Sequence, residues 1–151
     1  MHHPGPAVEV RPLGGDEWAL WRSLRLAALR EAPHAFTSRY EDWASVSEAR
    51  WRQRLSGWLN VVAVLDGGHV GMASGKDGDP VLMASLWVAP AARGRGVGDA
   101  LVEAVVAWAA PRSVELSVSA GNDRARALYL RHGFVEVGGG RLVRAGAGAA
   151  G

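Results

Sequence analysis

The sequence has no cysteine, only one lysine and no apolar run as long as a membrane-spanning helix. Without cysteine the protein cannot use disulfides, thiolate metal sites or a cysteine nucleophile. Residues 1–5 also lack the basic and then apolar pattern of a signal peptide. These absences predict a cytoplasmic protein without a membrane partner. Because 48% of the 151 residues are hydrophobic and seven are tryptophan, we also expect one well-packed domain over residues 1–151.

Basic charge comes almost entirely from arginine, since Lys76 is the only lysine among 17 basic residues and the formal net charge is +2. Arginine binds planar anions such as phosphate and carboxylate. The densest cluster, residues 50–54, falls on a predicted helix, where it is interpreted as the solvated face. A nucleic-acid binder usually concentrates a larger net charge on one surface, so we expect no nucleic-acid partner.

A glycine turn follows the most apolar segment of the chain. Residues 81–88 are an apolar run that ends before Pro90, residues 93–98 read Arg-Gly-Arg-Gly-Val-Gly, and residues 100–110 have helical periodicity. A strand, a glycine turn and a helix form the layout of a phosphate-binding loop, because the backbone approaches the ligand closely and the helix start adds unpaired N–H groups. Taken alone, the turn is also compatible with an ordinary tight connection.

The spacing excludes two common phosphate-binding loops. A G-x-G-x-x-G loop read from Gly94 needs a third glycine where Asp99 stands, and a P-loop needs G-K-[ST], although Lys76 lies outside the turn. The remaining pattern, Arg93-x-x-Gly96-x-Gly98, resembles the R/Q-x-x-G-x-G/A loop of the GCN5-related N-acetyltransferases. In that family the loop holds the pyrophosphate of acetyl-CoA.

A second stretch, residues 122–134, resembles the family's N-x-x-A-x-x-L-Y-x-x-x-G-F motif. Asn122 is a good helix N-cap, and Gly133 stands where a helix end takes a left-handed residue. Asn122 and Tyr129 are two turns apart and therefore share one helical face. By itself Tyr129 is equally well a core aromatic with a solvated hydroxyl. The specific part of the resemblance spans Leu86 to Phe134, about a third of the chain.

Periodicity and turn signals predict the remaining elements. Asp16 is expected to cap a first helix, and Ser45 with Glu48 three residues on forms a capping-box pattern for a second. Predicted strands cover residues 7–13, 58–65, 69–76, 81–88, 113–119, 134–137 and 141–144, and predicted helices cover residues 16–30, 45–55, 100–110 and the segment after Asn122. The alanine and glycine tail, residues 145–151, is expected to be flexible.

The resemblance implies a mixed α/β (α+β) architecture, the GNAT fold. It has a central, mostly antiparallel sheet of six to seven strands with one splayed parallel pair and helices on both faces. The cofactor implied is acetyl-CoA, used as the acyl donor, with no metal. Its pantetheine arm would pair with the backbone of Leu86, Trp87 and Val88. The pyrophosphate and the far side of the arm would be held by Arg93, Gly94, Arg95, Gly96, Val97, Gly98, Asp99, Asn122 and Tyr129.

The chemistry implied is direct attack of a primary amine on the thioester, with Tyr129 assisting the departing thiolate. A backbone N–H near Val88 would stabilise the oxyanion. Substrate contacts are expected at Phe36, Tyr40, Glu41 and Ser85. The strand 81–88 contains no acid, so the base is open: Glu41, Asp42, His34 or Glu115 acting through water, or no dedicated base.

Two other functions stay open at this point. One is a catalytically silent domain of the same fold that binds or senses acyl-CoA. The other is a nucleotide-phosphate enzyme, against which the failed glycine spacing argues. The acceptor is a small-molecule amine or a protein or peptide amine, and a homodimer is compatible with the apolar content.

Overall fold

The computed structural model describes residues 8–36 and 38–146, so Ala7 of the first predicted strand and residues 147–151 of the predicted flexible tail lie outside the described part. Short 3-10 turns occupy Gly15–Glu17, Pro33–Ala35 and Pro90–Ala92. The strands are β1 (Glu9–Pro12), β2 (Trp58–Leu65), β3 (Gly68–Lys76), β4 (Val81–Val88), β5 (Val114–Ser117), β6 (Val135–Gly138) and β7 (Arg141–Arg144). The helices are α1 (Trp18–Glu31), α2 (Tyr40–Ala44), α3 (Glu48–Leu55), α4 (Val97–Ala109) and α5 (Asp123–Arg131).

The seven strands form one sheet in the order β1-β2-β3-β4-β5-β7-β6. Every neighbouring pair is antiparallel except β4 and β5, which are parallel because α4 crosses between them. This pair is joined only at Val81 with Val114 and at Leu82 with Glu115, after which the two strands diverge. The predicted mixed fold with one splayed parallel pair is therefore confirmed.

Helices cover both faces of the sheet, as expected. On one face, Leu101, Val102 and Val105 of α4 pack in a buried cluster with Val61 of β2. On the other face, Trp21 of α1 and Trp51 of α3 pack with Val62, the next residue of β2. Consecutive residues of a strand point to opposite faces, so a sheet covered on both sides needs the continuous apolar run that the sequence has here.

Of the three capping residues predicted from the sequence, the structure confirms one and differs at two. Asn122 caps α5 as predicted, and its side chain accepts a hydrogen bond from the Ala125 amide. The second predicted cap is wrong, because Ser47 rather than Ser45 accepts the Arg50 amide and α3 begins at Glu48. Asp16 makes no cap either, since it lies inside the 3-10 turn that precedes α1.

A bulge interrupts β4 at Ser85, whose φ of 60° is unusual for a residue other than glycine. Ser74 of β3 pairs with Ala84, and Met72 pairs with Trp87. One residue of β3 therefore stands opposite two residues of β4, Ser85 and Leu86, so β4 holds one extra residue. The extra residue reverses the side-chain alternation of the strand. As a result Leu86 faces the α4 cluster, and Trp87 faces the α1 cluster.

Within the described residues, no helix is both long and apolar enough to cross a membrane.

Candidate active site

Two connected clefts lie where β4 and β5 diverge. The larger, about 1110 Å³, is lined by the glycine turn and is called here the glycine cleft. The smaller, about 420 Å³, is lined by Tyr129 and is called the tyrosine cleft. Both are bordered by Ala35, Phe36, Leu86, Asn122 and Ala125. A single extended ligand could therefore occupy both clefts through their shared wall.

Backbone forms the wall between the strands. Beyond Leu82 the edge of β4 that faces β5 has no strand beside it among the described residues, so the backbone groups on that edge have no ladder partner. An exposed strand edge of this kind binds an extended ligand that carries amides of its own. The expected contacts at Leu86, Trp87 and Val88 lie along this edge.

The three glycines of the turn are needed for different reasons. Gly94 and Gly96 have φ of 78° and 81°, and a Cβ on either would meet nothing within 4 Å. The left-handed backbone, not crowding, selects glycine at both positions, and it leaves the N-terminal amides of α4 open. At Gly98, by contrast, a Cβ would stand 3.0 Å from Leu128 Cδ2, so this glycine permits α4 to pack against α5.

Arg93 is engaged by the protein itself. Its Nε donates to the carbonyl oxygen of Val88 at 3.1 Å, and its Nη2 donates to the carboxylate of Glu31. The same carboxylate accepts the indole N–H of Trp87 at 3.0 Å. The Trp87 hydrogen bond, together with that from Arg93, holds the pKa of Glu31 below its ordinary value although partial burial opposes the shift. Glu31 thus ties the end of α1 to β4 and to the glycine turn.

Asp99 connects the glycine turn to α5. Its carboxylate accepts from Arg131 at 3.0 Å and lies 2.8 Å from the Nε2 of His132. Burial alone would raise the pKa of Asp99, but these hydrogen bonds outweigh it and lower the pKa. The negative charge of Asp99, at the start of α4 next to the glycine turn, is therefore balanced by Arg131.

Two further arginines lie near the glycine turn, and only one of them, Arg95, was predicted to contact the donor. Arg95 is half-exposed, pairs with Asp66 at 3.5 Å and lies outside the lining of the glycine cleft. Arg124 of α5 does line that cleft and has no acid partner among the described residues. Arg124 is thus a cation near the turn that the motif comparison did not identify.

Tyr129 is buried, and its ring packs edge to face on Phe134 with centroids 5.6 Å apart. Burial raises the pKa of the Tyr129 phenol above its ordinary value. The phenol is therefore neutral at physiological pH and can donate a hydrogen bond into the tyrosine cleft. Asn122 lines the same cleft, so the two motif residues do share one side of α5.

The expected substrate contacts divide into two groups. Phe36 borders both clefts, and Ser85 lines the tyrosine cleft. Tyr40 and Glu41, on α2, lie outside both clefts as the described residues define them. Among the four candidate bases, only Glu115 shares the tyrosine cleft, whereas His34 lines the glycine cleft and Asp42 lines neither.

Glu31 and Arg25 are functional candidates that the sequence did not indicate. Both stand on α1, far along the chain from either motif. Helical periodicity alone predicts that a charged residue on such a helix faces solvent, so the sequence does not mark them as site residues. Within residues 8–36 and 38–146, no group of three or more His, Asp or Glu side chains has the spacing to hold a metal ion.

Comparisons with known proteins match this chain to one family of acetyltransferases and to its fold. A family model described as the acetyltransferase (GNAT) family matches residues 18–134. A search of curated proteins finds no match.

Solved structures share the fold along nearly the whole chain. A GCN5-related N-acetyltransferase from Rhodopseudomonas palustris is 27% identical with a TM-score of 0.69, covering 96% of this chain and 98% of that one. An aminoglycoside acetyltransferase from an uncultured soil metagenomic sample is 25% identical with a TM-score of 0.69, covering 86% and 93%. A phosphinothricin acetyltransferase from Sinorhizobium meliloti, in complex with AcCoA, is 19% identical with a TM-score of 0.76, covering 95% and 91%.

The matched residues run from α1 through both motifs to Phe134, well over half of the sequence, and the splayed sheet accompanies them. The chain belongs to the acetyltransferase (GNAT) family.

Proposed function

We propose that the protein transfers the acetyl group of acetyl-CoA directly to a primary amine. The observation that carries the proposal is the free edge of β4, which leads from the glycine turn to Tyr129 between diverging strands. That arrangement fits a long donor with a phosphate group at one end, amides along its length and a reacting group at the other. Membership of the family and a relative solved with AcCoA support the same donor.

The glycine cleft would hold the phosphate end of the donor. Backbone N–H groups over residues 94–99 and the start of α4 would bind the pyrophosphate, and Arg124 would add a full positive charge. Arg93 would act differently from the expectation that it binds phosphate. Because its guanidinium is already held by Glu31 and Val88, its role would be to fix the turn against β4.

Acetyl-CoA supplies an activated thioester. The residues of this chain would position the thioester, stabilise the oxyanion and transfer the protons. An N–H near Val88 would stabilise the developing oxyanion. The Tyr129 hydroxyl, which lines the tyrosine cleft, would assist the departing sulfur with a hydrogen bond or a proton. Glu115, the candidate base that shares the tyrosine cleft, would accept the amine proton through water.

Ligand binding is tested by thermal shift with acetyl-CoA, CoA, ATP and NAD in parallel. A ligand at a hundredfold excess over its Kd stabilises the native state by about 2.7 kcal/mol, which raises the Tm by a few degrees. Stabilisation by the two CoA forms alone is the expected result. Stabilisation by ATP or NAD without CoA would contradict the assignment of the glycine turn.

Turnover is tested by amine-dependent release of the CoA thiol over a panel of small amines and peptides. Thiol release that requires an amine, with an acetylated product identified by mass spectrometry, is expected. Binding of CoA without turnover on any amine would favour the silent acyl-CoA-binding domain instead.

A further inference from the structure

Arg25 is a partly buried cation that lines the tyrosine cleft, and its Nη1 lacks a hydrogen-bond partner within the described residues. It stands on α1 and lines the cleft with Ser85, Glu115 and Tyr129. Its Nη1 is buried and makes no hydrogen bond within the described residues. No carboxylate of residues 8–36 or 38–146 forms an ion pair with it. Its guanidinium carbon lies 4.8 Å from the centroid of the Phe36 ring.

Arg54 shows how a buried guanidinium is satisfied in the same part of this protein. It donates to Asn60 Oδ1 at 3.2 Å and to Ser74 Oγ at 3.0 Å, and it stacks on Trp58 with 3.7 Å between the guanidinium carbon and the ring centroid. Burial lowers the pKa of Arg54 to about 10, and the charge of Arg25 adds to the shift. Two positive charges therefore lie close together, and only one of them has oxygen partners.

An unpaired charge in this position is unfavourable. Removing an ion from water costs several kcal/mol in real proteins unless a partner compensates. Burial lowers the pKa of Arg25 to about 10, which leaves the guanidinium charged at neutral pH. A planar guanidinium with free N–H groups matches carboxylate and phosphate oxygens, so an oxyanion is the ligand that removes the cost.

The protein's own nearby acids are already paired. Glu115 lines the same cleft but forms an ion pair with Arg141. Glu31, at the end of α1, is held by Trp87 and Arg93. The oxyanion must therefore come from a ligand. In the proposed function the donor's phosphates occupy the glycine cleft, which leaves the acceptor as the molecule that reaches Arg25.

We propose that the acceptor amine carries an acidic group, a carboxylate or a phosphate, and that Arg25 binds this group in the tyrosine cleft. The inference rests on the proposed function. The amine nitrogen forms a bond to the acetyl carbon and loses a proton through water to Glu115, while the carbon–sulfur bond breaks and the thiolate takes a proton from Tyr129 to leave as the CoA thiol. The acidic group remains unchanged and positions the amine. Arg25 is thus a specificity-determining residue.

The test compares matched amines with the wild-type enzyme. α-Amino acids are set against their amides and their decarboxylated amines, and O-phosphoethanolamine is set against ethanolamine. Because the neutral amine leaves the guanidinium without its partner, we expect kcat/KM to favour the acidic member by on the order of 100-fold, about 2.7 kcal/mol. Preference for carboxylates or for phosphates identifies the oxyanion, and either preference supports the proposal.

Variants locate the preference at Arg25. Arg25→Gln should abolish it mainly by raising the KM of the acidic amine, Arg25→Lys should restore part of it, and CoA affinity should be unchanged in both. Arg30→Gln, on the exposed part of the same helix, is the control and should keep the wild-type preference.

Failure of the inference is distinguishable from failure of the proposed function. If wild-type enzyme acetylates neutral amines as well as acidic ones, the Arg25 proposal is overturned and acetyl transfer stands. If CoA binds and neither class of amine is acetylated, the proposed function itself is overturned. The wild-type comparison needs no variant, so a misfolded Arg25→Gln protein would not decide the result.

Discussion

The two clefts differ in what they offer a ligand. The glycine cleft presents backbone amides and the guanidinium of Arg124, while Arg93 and Asp99 beside the turn are paired with Glu31 and Arg131. The tyrosine cleft presents side chains, including the unpaired guanidinium of Arg25. Recognition by backbone amides depends on the conformation of the loop and not on particular side chains. It therefore suits a donor that all members of a family share while their side chains differ. Side-chain recognition is where selection among acceptors can occur.

The largest expected effect is on donor binding, because the contrast between the two clefts depends on the glycine turn binding the donor. Gly96→Glu places a carboxylate where the pyrophosphate is expected, and like charges in contact cost several kcal/mol. CoA affinity should fall on the order of 1000-fold, measured as loss of the CoA-induced thermal shift. Gly57→Glu is the matched control, since Gly57 also has positive φ with nothing within 4 Å of its Cβ and lies outside both clefts. A control protein that lost CoA as well would point to strain rather than to the site.

Tyr129→Phe separates catalysis from binding. The ring and its contact with Phe134 remain, and only the proton donor is removed. We expect kcat to fall roughly 10- to 1000-fold with CoA affinity unchanged, the scale of a lost general acid. Unchanged turnover on a verified acceptor would exclude the role given to Tyr129.

Glu115→Gln tests whether the tyrosine cleft also supplies the base. With proton transfer through water, kcat/KM should fall about 100-fold or less, and the loss should shrink at high pH, where more of the amine is already unprotonated. Glu103→Gln, an exposed glutamate of α4, should behave as wild type. A loss that was equal at every pH would indicate a structural role through Arg141 instead.

Glu31→Gln has the smallest expected effect and concerns stability. The folded protein holds the pKa of Glu31 below its ordinary value of 4.5, so the carboxylate contributes stability above that pH and loses it as pH falls through the lower, folded value. Urea unfolding should show a deficit of about 1 kcal/mol at pH 7, allowing for partial exposure, that diminishes below pH 4.5. A deficit that grew on acidification would have the wrong sign.

Much of the glycine cleft was predictable because its signals are local. The bounds of β4, the Asn122 cap and the left-handed glycine at position 133 follow from apolar runs, capping oxygens and turn residues within a few positions of one another. The family match then confirms the order of the motifs.

The tyrosine cleft was less predictable because its features arise from packing between distant segments. Ser85 gives no sign of positive φ, since bulges of this kind are usually marked by glycine. Arg25 stands on a helix where charged residues normally face solvent, and only the tertiary fold turns it toward β4 and β5.

The most direct test of a divided site is isothermal titration of CoA into wild-type, Gly96→Glu and Arg25→Gln proteins under one condition. If donor and acceptor are bound by separate ends of the cleft, Gly96→Glu loses CoA binding and Arg25→Gln retains the wild-type Kd. If Arg25→Gln loses CoA as Gly96→Glu does, or if Gly96→Glu binds CoA normally, the division between the two clefts is contradicted.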